Sequence, residues 1–263
     1  MCIMTRILVT GGTAQLGRPT VAALRGAGHD VRVLSRRGDA GALSEGLWSG
    51  DLLTGRGLGR ALSGIETVIH LASTGSARDV AATRLLTTFA RSAGVGHIVF
   101  ISIVGVADIP LAYYLGKLEA EQVIVDAEIP HSIVRATQFH SFVVGLFTAQ
   151  PRILPVTLVP AFSFQPIAVD EVAARLVELA TADPAGRAPD IGGPQVLTGH
   201  ALALRWKAAT GSRRPLAPLR IPGRMGAAFA AGHNLVPGPP FGKDTFDEYL
   251  AARHPQWNPG PLP

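Results

Sequence analysis

The chain has 263 residues, of which 47% are hydrophobic and 16% charged, and it carries a formal net charge of +5. This length suits one large α/β domain or a core with an appended lobe, and the composition argues against a disordered chain. The Arg residues are scattered, so the charge indicates anionic small ligands rather than nucleic acid, and the single cysteine excludes an intramolecular disulfide.

The sequence shows no clear secretory or membrane-spanning segment. Residues 1–9 run into a glycine-rich turn and lack the apolar centre and cleavage site of a signal peptide. The longest uncharged stretch, residues 153–169, is broken by Pro155, Pro160 and Pro166, which disfavours a spanning helix. We therefore expect a soluble cytoplasmic protein that does not bind a membrane.

Short β-branched runs alternate with helical patterns through the first half of the chain. The predicted strands are residues 6–10, 31–34, 47–48, 67–71, 97–101 and 132–135. The predicted helices lie near residues 15–27, 77–93 and 114–127. This alternation is typical of βαβ units, so we predict an α/β fold with a Rossmann-type, doubly wound parallel sheet.

The pattern changes after residue 136, where Pro and Phe become more frequent. Helical patterns return at residues 169–181, 199–210 and 246–252, and residues 191–194 are typical of a strand end and turn. We predict a single domain over residues 1–263, with a dinucleotide-binding core in residues 1–135. Residues 136–263 are expected to form mainly a smaller C-terminal substrate-binding lobe, interleaved with the core.

A glycine-rich turn joins the first predicted strand to the first helix. Its glycines remove side chains from the approach to the helix N-terminus, where backbone N–H groups can bind a pyrophosphate. Ala14 stands where regular spacing would place a middle glycine. The order of strand, turn and helix predicts dinucleotide binding. The residues expected to contact the cofactor here are Thr10, Gly11, Gly12, Thr13, Gln15, Leu16 and Gly17.

The end of the second predicted strand bears on the choice between NADP(H) and NAD(H). An acidic residue there binds the adenosine ribose, whereas an arginine pairs with a 2′-phosphate. The chain has Ser35, Arg36 and Arg37 and no carboxylate, so NADP(H) is expected to be preferred over NAD(H). Asp51, followed by Leu52, would lie near the adenine amino group, or it would cap a helix N-terminus.

Tyr113 and Lys117 are four residues apart, so a helix would place both side chains on one face. An ammonium group beside a phenol lowers the phenol's pKa and brings it closer to the range useful for acid–base catalysis. Because the chain has only three Tyr, the spacing is informative. Tyr114, three residues before Lys117, is the alternative phenol.

Several aromatic residues follow the sixth predicted strand and indicate a pocket for a small hydrophobic or aromatic substrate. They are Phe139, Phe142, Phe147, Phe162 and Phe164, with His140 among them. The same side chains would also suit a hydrophobic core. Gln138 and His140 are the expected polar contacts, and Phe139 and Phe142 the apolar ones. No grouping of His, Cys and carboxylates has metal-ligand spacing, so no metal is expected.

Together these motifs resemble a short-chain dehydrogenase/reductase of the atypical, NmrA-like kind. The resemblance covers nearly the whole chain and rests on six segments: the glycine turn, residues 50–52, residues 70–73, residues 101–102, residues 113–117 and residues 135–140. It implies that Leu71, Ala72 and Ser73 pass by the cofactor. It also implies that the residues after Arg135 line the substrate side near the nicotinamide.

The resemblance further implies a mechanism. Tyr113 would give a proton to a substrate carbonyl oxygen as hydride arrives from the nicotinamide. Lys117 would lower the phenol pKa and hold the nicotinamide ribose, and Ser102 would hydrogen-bond the same substrate oxygen.

We therefore expect an NADP(H)-dependent oxidoreductase that acts on a carbonyl, quinone or enone of a small hydrophobic or aromatic molecule. One alternative is an NmrA-like redox sensor that binds the cofactor without turnover, against which the intact Tyr-x-x-x-Lys pattern argues. Another is an epimerase or dehydratase that recycles its bound cofactor. The sequence carries no signal for a particular oligomeric state.

Overall fold

The structure is a computed structural model that describes residues 4–36, 46–76, 78–151 and 153–256. Strands and helices follow one another along these residues. The strands are β1 (Arg6–Thr10), β2 (Asp30–Ser35), β3 (Leu47–Ser49), β4 (Thr67–His70), β5 (His97–Ile103), β6 (His131–Ala136), β7 (Thr157–Pro160), β8 (Ser163–Phe164), β9 (Gly186–Arg187), β10 (Leu197–Thr198) and β11 (Leu216–Leu219). The helices are α1 (Gly17–Gly26), α2 (Leu58–Leu62), α3 (Arg78–Ser92), α4 (Ala112–Asp126), α5 (His140–Thr148), α6 (Val169–Thr181), α7 (Gly199–Thr210), α8 (Gly223–Ala230) and α9 (Phe246–Arg253). None of these helices has the length and apolar character needed to cross a bilayer.

Seven strands form a parallel sheet in the order β3-β2-β1-β4-β5-β6-β9. Ile7, Leu8 and Val9 of β1 are fully buried, as expected for a strand covered on both faces. The strand order reverses between β1 and β4, and their register pairs Thr10 with His70. Sheets of this kind bind ligands at the carboxyl ends of the strands beside such a reversal. The predicted Rossmann-type fold is confirmed.

Helices flank the central sheet. Leu8 of β1 lies in a buried cluster with Leu62 of α2, Leu86 of α3 and Ile124 of α4, so these three helices share one face. The other pair, α1 and α6, packs together, and each contacts a central strand, α1 on β1 and α6 on β4. This is the arrangement of a doubly wound sheet.

The chain divides into two compact units. The first comprises Met1–Ser102, Ala112–Arg135 and Val169–Pro189, and the second comprises Ile103–Leu111, Ala136–Ala168 and Asp190–Pro263. The second unit has a core of its own, built from side chains of α5, α7 and α9 such as Phe147, Trp206 and Phe246. It also contains two small sheets, β7 paired with β11 and β8 paired with β10. The assignment of separate cofactor and substrate roles to residues 1–135 and 136–263 stays a prediction.

The structure places α6 and α7 at the predicted residues, 169–181 and 199–210. It also contains elements that the sequence pattern does not indicate, namely α5, α8 and the short strands β7 to β11. The clearest case is α5, whose Phe139 N-cap makes no side-chain hydrogen bond and whose interior contains Gly145. Because its local sequence favours a helix only weakly, burial of Val143 and Phe147 is what stabilises it.

Gly11 sets how closely the chain after β1 approaches the chain after β4. Its φ of +69° lies in the left-handed region that favours glycine. A Cβ on Gly11 would lie 2.8 Å from the backbone nitrogen of Ala72 and 2.9 Å from the carbonyl carbon of Leu71. Backbone atoms cannot move aside as a flexible side chain can, so both the conformation and the close contact require glycine.

We expect Gly11→Ala to lower the free energy of unfolding more than Gly28→Ala does. Gly28 also has a positive φ, +85°, but a Cβ there would meet nothing within 4 Å. The control therefore carries the conformational strain alone, about 1–2 kcal/mol, whereas Gly11→Ala adds the clash with Leu71 and Ala72. Urea unfolding measures both losses, and equal values would show that the backbone contact does not constrain the turn.

Candidate active site

The turn after β1 leaves the N-terminus of α1 open to an anion. Gly17 begins the helix, and a Cβ there would come within 2.5 Å of the Gly12 Cα, so glycine lets the helix start against the turn. Leu16 at the N-cap makes no side-chain hydrogen bond, the first turn has no acidic residue, and Thr13 and Gln15 are exposed. Backbone N–H groups at a helix N-terminus lack intrahelical acceptors. The residues present therefore fit a pyrophosphate.

The adenosine side of the predicted site lies at the ends of β2 and β3. Arg36 directly follows β2 and is exposed, whereas Arg37 lies outside the described residues. The Ser35 carbonyl accepts a hydrogen bond from the Gly50 amide at 2.9 Å, which ties the two strand ends together. An exposed guanidinium at this edge of the sheet suits a 2′-phosphate.

Asp51 shapes its own turn. Its Oδ1 accepts a hydrogen bond from the Leu53 amide at 2.8 Å, and its backbone N–H donates to the Arg56 carbonyl at 2.9 Å. The next helix, α2, has Gly57 at its N-cap. The expectation that Asp51 caps a helix is therefore wrong, and its place beside the adenine stays a prediction. Leu52 packs against the sheet's hydrophobic core and is partly buried.

A buried hydrogen-bond network joins the end of β1 to the end of β4. Thr10 Oγ1 lies 2.7 Å from His70 Nδ1 and accepts hydrogen bonds from the Leu71 and Ala72 amides at 3.1 and 3.2 Å. Its own hydrogen must therefore point to Nδ1, which acts as the acceptor. Burial, helped by the Lys117 ammonium, lowers the pKa of His70 to about 3, so the ring is neutral.

The second ring nitrogen of His70 extends the network to α3. With Nδ1 as the acceptor, Nε2 carries the hydrogen and donates to Thr83 Oγ1 at 3.1 Å. Thr83 Oγ1 in turn donates to the Asp79 carbonyl at 2.8 Å. Since each member has a partner, the network fixes the position of the loop between β4 and α3.

Asp79 organises that loop. Its Oδ2 accepts from Ser73 Oγ at 2.5 Å, and its Oδ1 accepts from the Thr74 amide and hydroxyl at 2.6 and 2.7 Å. Burial acts to raise the pKa of Asp79, but these hydrogen bonds and the Lys117 ammonium outweigh it and lower the pKa below its ordinary value. Asp79 is thus a carboxylate at neutral pH although it is only 6% exposed. No sequence pattern marks it, because an acidic residue in the first turn of a helix is common.

Tyr113 lies next to this loop, one residue after the start of α4. Its Oη is 3.4 Å from Ser73 Oγ. Burial raises the pKa of Tyr113, and the negative charge of Asp79 adds to that rise. The expected lowering of this pKa by Lys117 is therefore wrong for this structure: the phenol is a weaker acid than free tyrosine.

Lys117 lies against β5, which explains why it does not offset these effects on Tyr113. Its Nζ donates to the Ile101 carbonyl at 3.2 Å and lies 4.6 Å from the centre of the Phe100 ring, which stacks on His70. Burial lowers the pKa of Lys117 to about 8, although nearby carboxylates act in the opposite direction. The side chain still carries its charge at neutral pH.

A bidentate ion pair holds α4 against β6. Arg135 Nε and Nη2 donate to the two carboxylate oxygens of Glu121 at 2.8 and 2.6 Å. The two side chains are only 16% and 9% exposed, and removing one partner of such a pair costs about 3–5 kcal/mol. The pair therefore fixes the helix that carries Tyr113 and Lys117.

Ser102 lies near the end of β5 and is 3% exposed, and its Oγ is buried with no hydrogen-bond partner among the described residues. The expected hydrogen bond from Ser102 to a substrate oxygen stays a prediction. The hydroxyl that contacts Tyr113 is that of Ser73, which the resemblance assigns to the cofactor.

His140 belongs to the core of the second unit. It is 1% exposed, its Nε2 donates to the Asp244 carbonyl at 3.1 Å, and its ring packs on Phe246 and Tyr249. Burial lowers the pKa of His140 to about 4. His140 therefore packs within the second unit, and its contact with a substrate stays a prediction.

The other expected substrate residues are more accessible. Phe142 on α5 is 52% exposed, and Gln138 and Phe139 are half-buried. Phe139 also forms a bridge with Ile167 inside the second unit. Contact of these three residues with a substrate stays a prediction.

Comparison with known proteins identifies a family for most of the chain. Residues 11–183 match the NAD(P)H-binding family. Sterol demethylase protein B of Methylococcus capsulatus is 38% identical over 116 residues, which is 39% of this chain and 35% of that protein. The chain thus matches about a third of that relative's length.

Solved structures share the fold at low sequence identity. The NADPH-dependent quinone oxidoreductase of Escherichia coli, solved with NADPH, is similar with a TM-score of 0.75 and 17% identity, covering 94% of this chain and 99% of that one. A nucleoside-diphosphate-sugar epimerase from Staphylococcus aureus is similar with a TM-score of 0.75, 18% identity and the same coverage. The chain belongs to the NAD(P)H-binding family, and its fold is Rossmann-type.

Proposed function

We propose that this protein is an NADP(H)-dependent oxidoreductase that transfers hydride to a carbonyl, quinone or enone of a small hydrophobic or aromatic molecule. The main support is the position of Tyr113, whose Oη contacts Ser73. Ser73 directly follows Ala72, which packs against Gly11 of the cofactor turn. The phenol therefore lies beside the edge of the sheet where Rossmann folds bind a dinucleotide.

Tyr113 acts as the proton donor in this proposal. A bound nicotinamide would supply the hydride. As the substrate carbon receives it, the O–H bond of Tyr113 breaks and a new O–H bond forms on the substrate oxygen. The phenol is protonated at neutral pH, as proton donation in this direction requires. The phenolate left behind regains a proton from water.

Ser73 and Lys117 support Tyr113 in different ways. Ser73 contacts the phenol oxygen. Lys117 donates to the Ile101 carbonyl, and its ammonium has further hydrogens for the hydroxyl groups of the nicotinamide ribose. Lys117 is thus assigned to the cofactor in this proposal rather than to the phenol.

The choice of NADP(H) and of an apolar substrate has separate support. Exposed Arg36 suits the 2′-phosphate, and the quinone oxidoreductase with the same fold was solved with NADPH. That protein's name refers to a quinone, and the name of the Methylococcus relative to a sterol, both hydrophobic molecules. Phe142, exposed on α5, offers an apolar contact for a substrate of this class.

The first experiment titrates the purified protein with NADPH and NADH by fluorescence, then follows NADPH consumption with quinones, enones and aromatic ketones. We expect NADPH binding and consumption with at least one class.

The fold shared with the Staphylococcus epimerase supports a second candidate, an epimerase or dehydratase that recycles its cofactor. Tight binding without consumption would favour that candidate or a redox sensor, and absence of binding would contradict all three.

Replacing Tyr113 with Phe removes the donated proton and keeps the ring. We expect Tyr113→Phe to lower kcat by about 100-fold to 10,000-fold, with NADPH affinity unchanged. Tyr114→Phe is the matched control, because Tyr114 is the next residue and is buried at 6% exposure. Steady-state kinetics on both variants decide the assignment, and a loss confined to Tyr114→Phe would move the donor to Tyr114.

Arg36→Ala tests the cofactor preference. A hydrogen-bonded arginine–phosphate contact contributes about 1.5–3 kcal/mol, so NADPH affinity should fall about 10-fold to 100-fold while NADH affinity changes little. Arg60→Ala, which removes another exposed arginine of the same unit, should leave both affinities unchanged. Fluorescence titration compares the four affinities. Equal weakening of NADPH and NADH would reject the assignment of Arg36 to the 2′-phosphate.

A further inference from the structure

The hydroxyl group of Ser73 has its full hydrogen-bonding capacity in use. A serine hydroxyl donates one hydrogen bond and accepts two. Ser73 Oγ donates to Asp79 Oδ2 at 2.5 Å, because a carboxylate has no hydrogen to give, and it accepts from the Gly75 amide at 3.2 Å. The remaining acceptor position faces Tyr113 Oη at 3.4 Å, so the phenol must be the donor in that contact.

Asp79 thereby determines where the hydrogen of the phenol points. We propose that Asp79 is a positioning residue for Tyr113, which acts through Ser73 to keep the phenol protonated and aimed until a substrate oxygen replaces Ser73 as its acceptor. The inference rests on the proposed role of Tyr113. It couples the proton donor on α4 to a carboxylate on α3, which the sequence motif does not indicate.

Two effects of Asp79 disfavour the ionised phenol. A phenolate at Tyr113 would draw the Ser73 hydrogen towards itself, and the contact of 2.5 Å between Ser73 and Asp79 would be lost. The carboxylate also repels a second negative charge nearby, which is why Asp79 raises the pKa of Tyr113. Both effects hold the proton on the phenol until the reaction removes it.

Other titratable groups near Tyr113 do not take over this role. On β4, His70 is neutral because burial lowers its pKa to about 3. On α4 itself, Lys117 donates to a carbonyl of β5, and Glu121 is paired with an arginine of β6. Asp79 on α3 is the charged group that the hydrogen bonds connect to Tyr113.

The test measures the ionisation of Tyr113 directly in the full-length protein, without cofactor or substrate. The chain has three Tyr, so incorporation of 3-fluorotyrosine gives three fluorine NMR signals, which single Tyr→Phe variants assign. Fluorination makes the phenol more acidic and brings its titration closer to the pH range in which a protein stays folded. The readout is the pH midpoint of the Tyr113 signal.

We expect Asp79→Asn to move this midpoint to lower pH, because the variant removes the charge but keeps an oxygen for the Thr74 amide. Ser73→Ala should also move it to lower pH, because the phenol loses the acceptor of its hydrogen and its link to Asp79. Asp126→Asn, at an exposed carboxylate on the end of α4, should leave it unchanged. General loosening of the fold would admit water and also lower the midpoint of Tyr249, whose pKa is raised by burial, so an unchanged Tyr249 midpoint excludes it.

An unchanged or higher midpoint in folded Asp79→Asn would overturn the proposal. If circular dichroism shows that this variant does not fold, Ser73→Ala carries the test. In that case a midpoint equal to or above that of the wild type would overturn it.

The pH profile of kcat gives a second readout. In Asp79→Asn the alkaline limb of NADPH-dependent reduction should move to lower pH. The fluorine titration needs no turnover, so it separates the two proposals. The expected midpoints in a protein that consumes no NADPH would reject the proposed reductase function and still support the control of Tyr113 by Asp79.

Discussion

The hydroxyl group of Thr10 makes the contact on which the rest of the site depends. It is fully buried at the end of β1, accepts from the Leu71 and Ala72 amides, and donates to His70. Each group left unpaired by its loss would cost about 1–3 kcal/mol. The register of β1 and β4 sets Thr10 opposite His70. The Thr10 hydroxyl can therefore bind the first residues after β4, and these contacts fix the position of the loop that reaches Tyr113.

Two buried charges give the site its electrostatic character. Lys117 lowers the pKa of Asp79, and Asp79 acts to raise the pKa of Lys117, so each favours the charged form of the other. Both residues are less than a tenth exposed, where an isolated charge would be costly. The result is a carboxylate with a lowered pKa linked through Ser73 to a phenol with a raised pKa, so the first stays charged and the second stays protonated at neutral pH.

The match to the family covers most of the first unit but only part of the second. The matched range, residues 11–183, covers the glycine turn and every group of the Tyr113 network except the hydroxyl of Thr10. The helices α7 and α9 lie beyond it and help to build the core of the second unit. Within that unit, His140 packs in the core. The aromatic residues that follow β6 therefore lie partly in the core and partly on the accessible surface. Exposed Phe142 belongs to the accessible part.

The sequence by itself determined the parallel sheet, the glycine turn and the shared helix of Tyr113 and Lys117, because strand alternation, a tight turn and four-residue spacing are local properties. It did not determine α5, whose weak local preference is overridden by burial. Only the tertiary structure decided that Ser73, forty residues from Tyr113, contacts the phenol and that Asp79 accepts the hydrogen bond of Ser73. The partners of a buried polar group depend on strand register and helix packing, which no local pattern encodes.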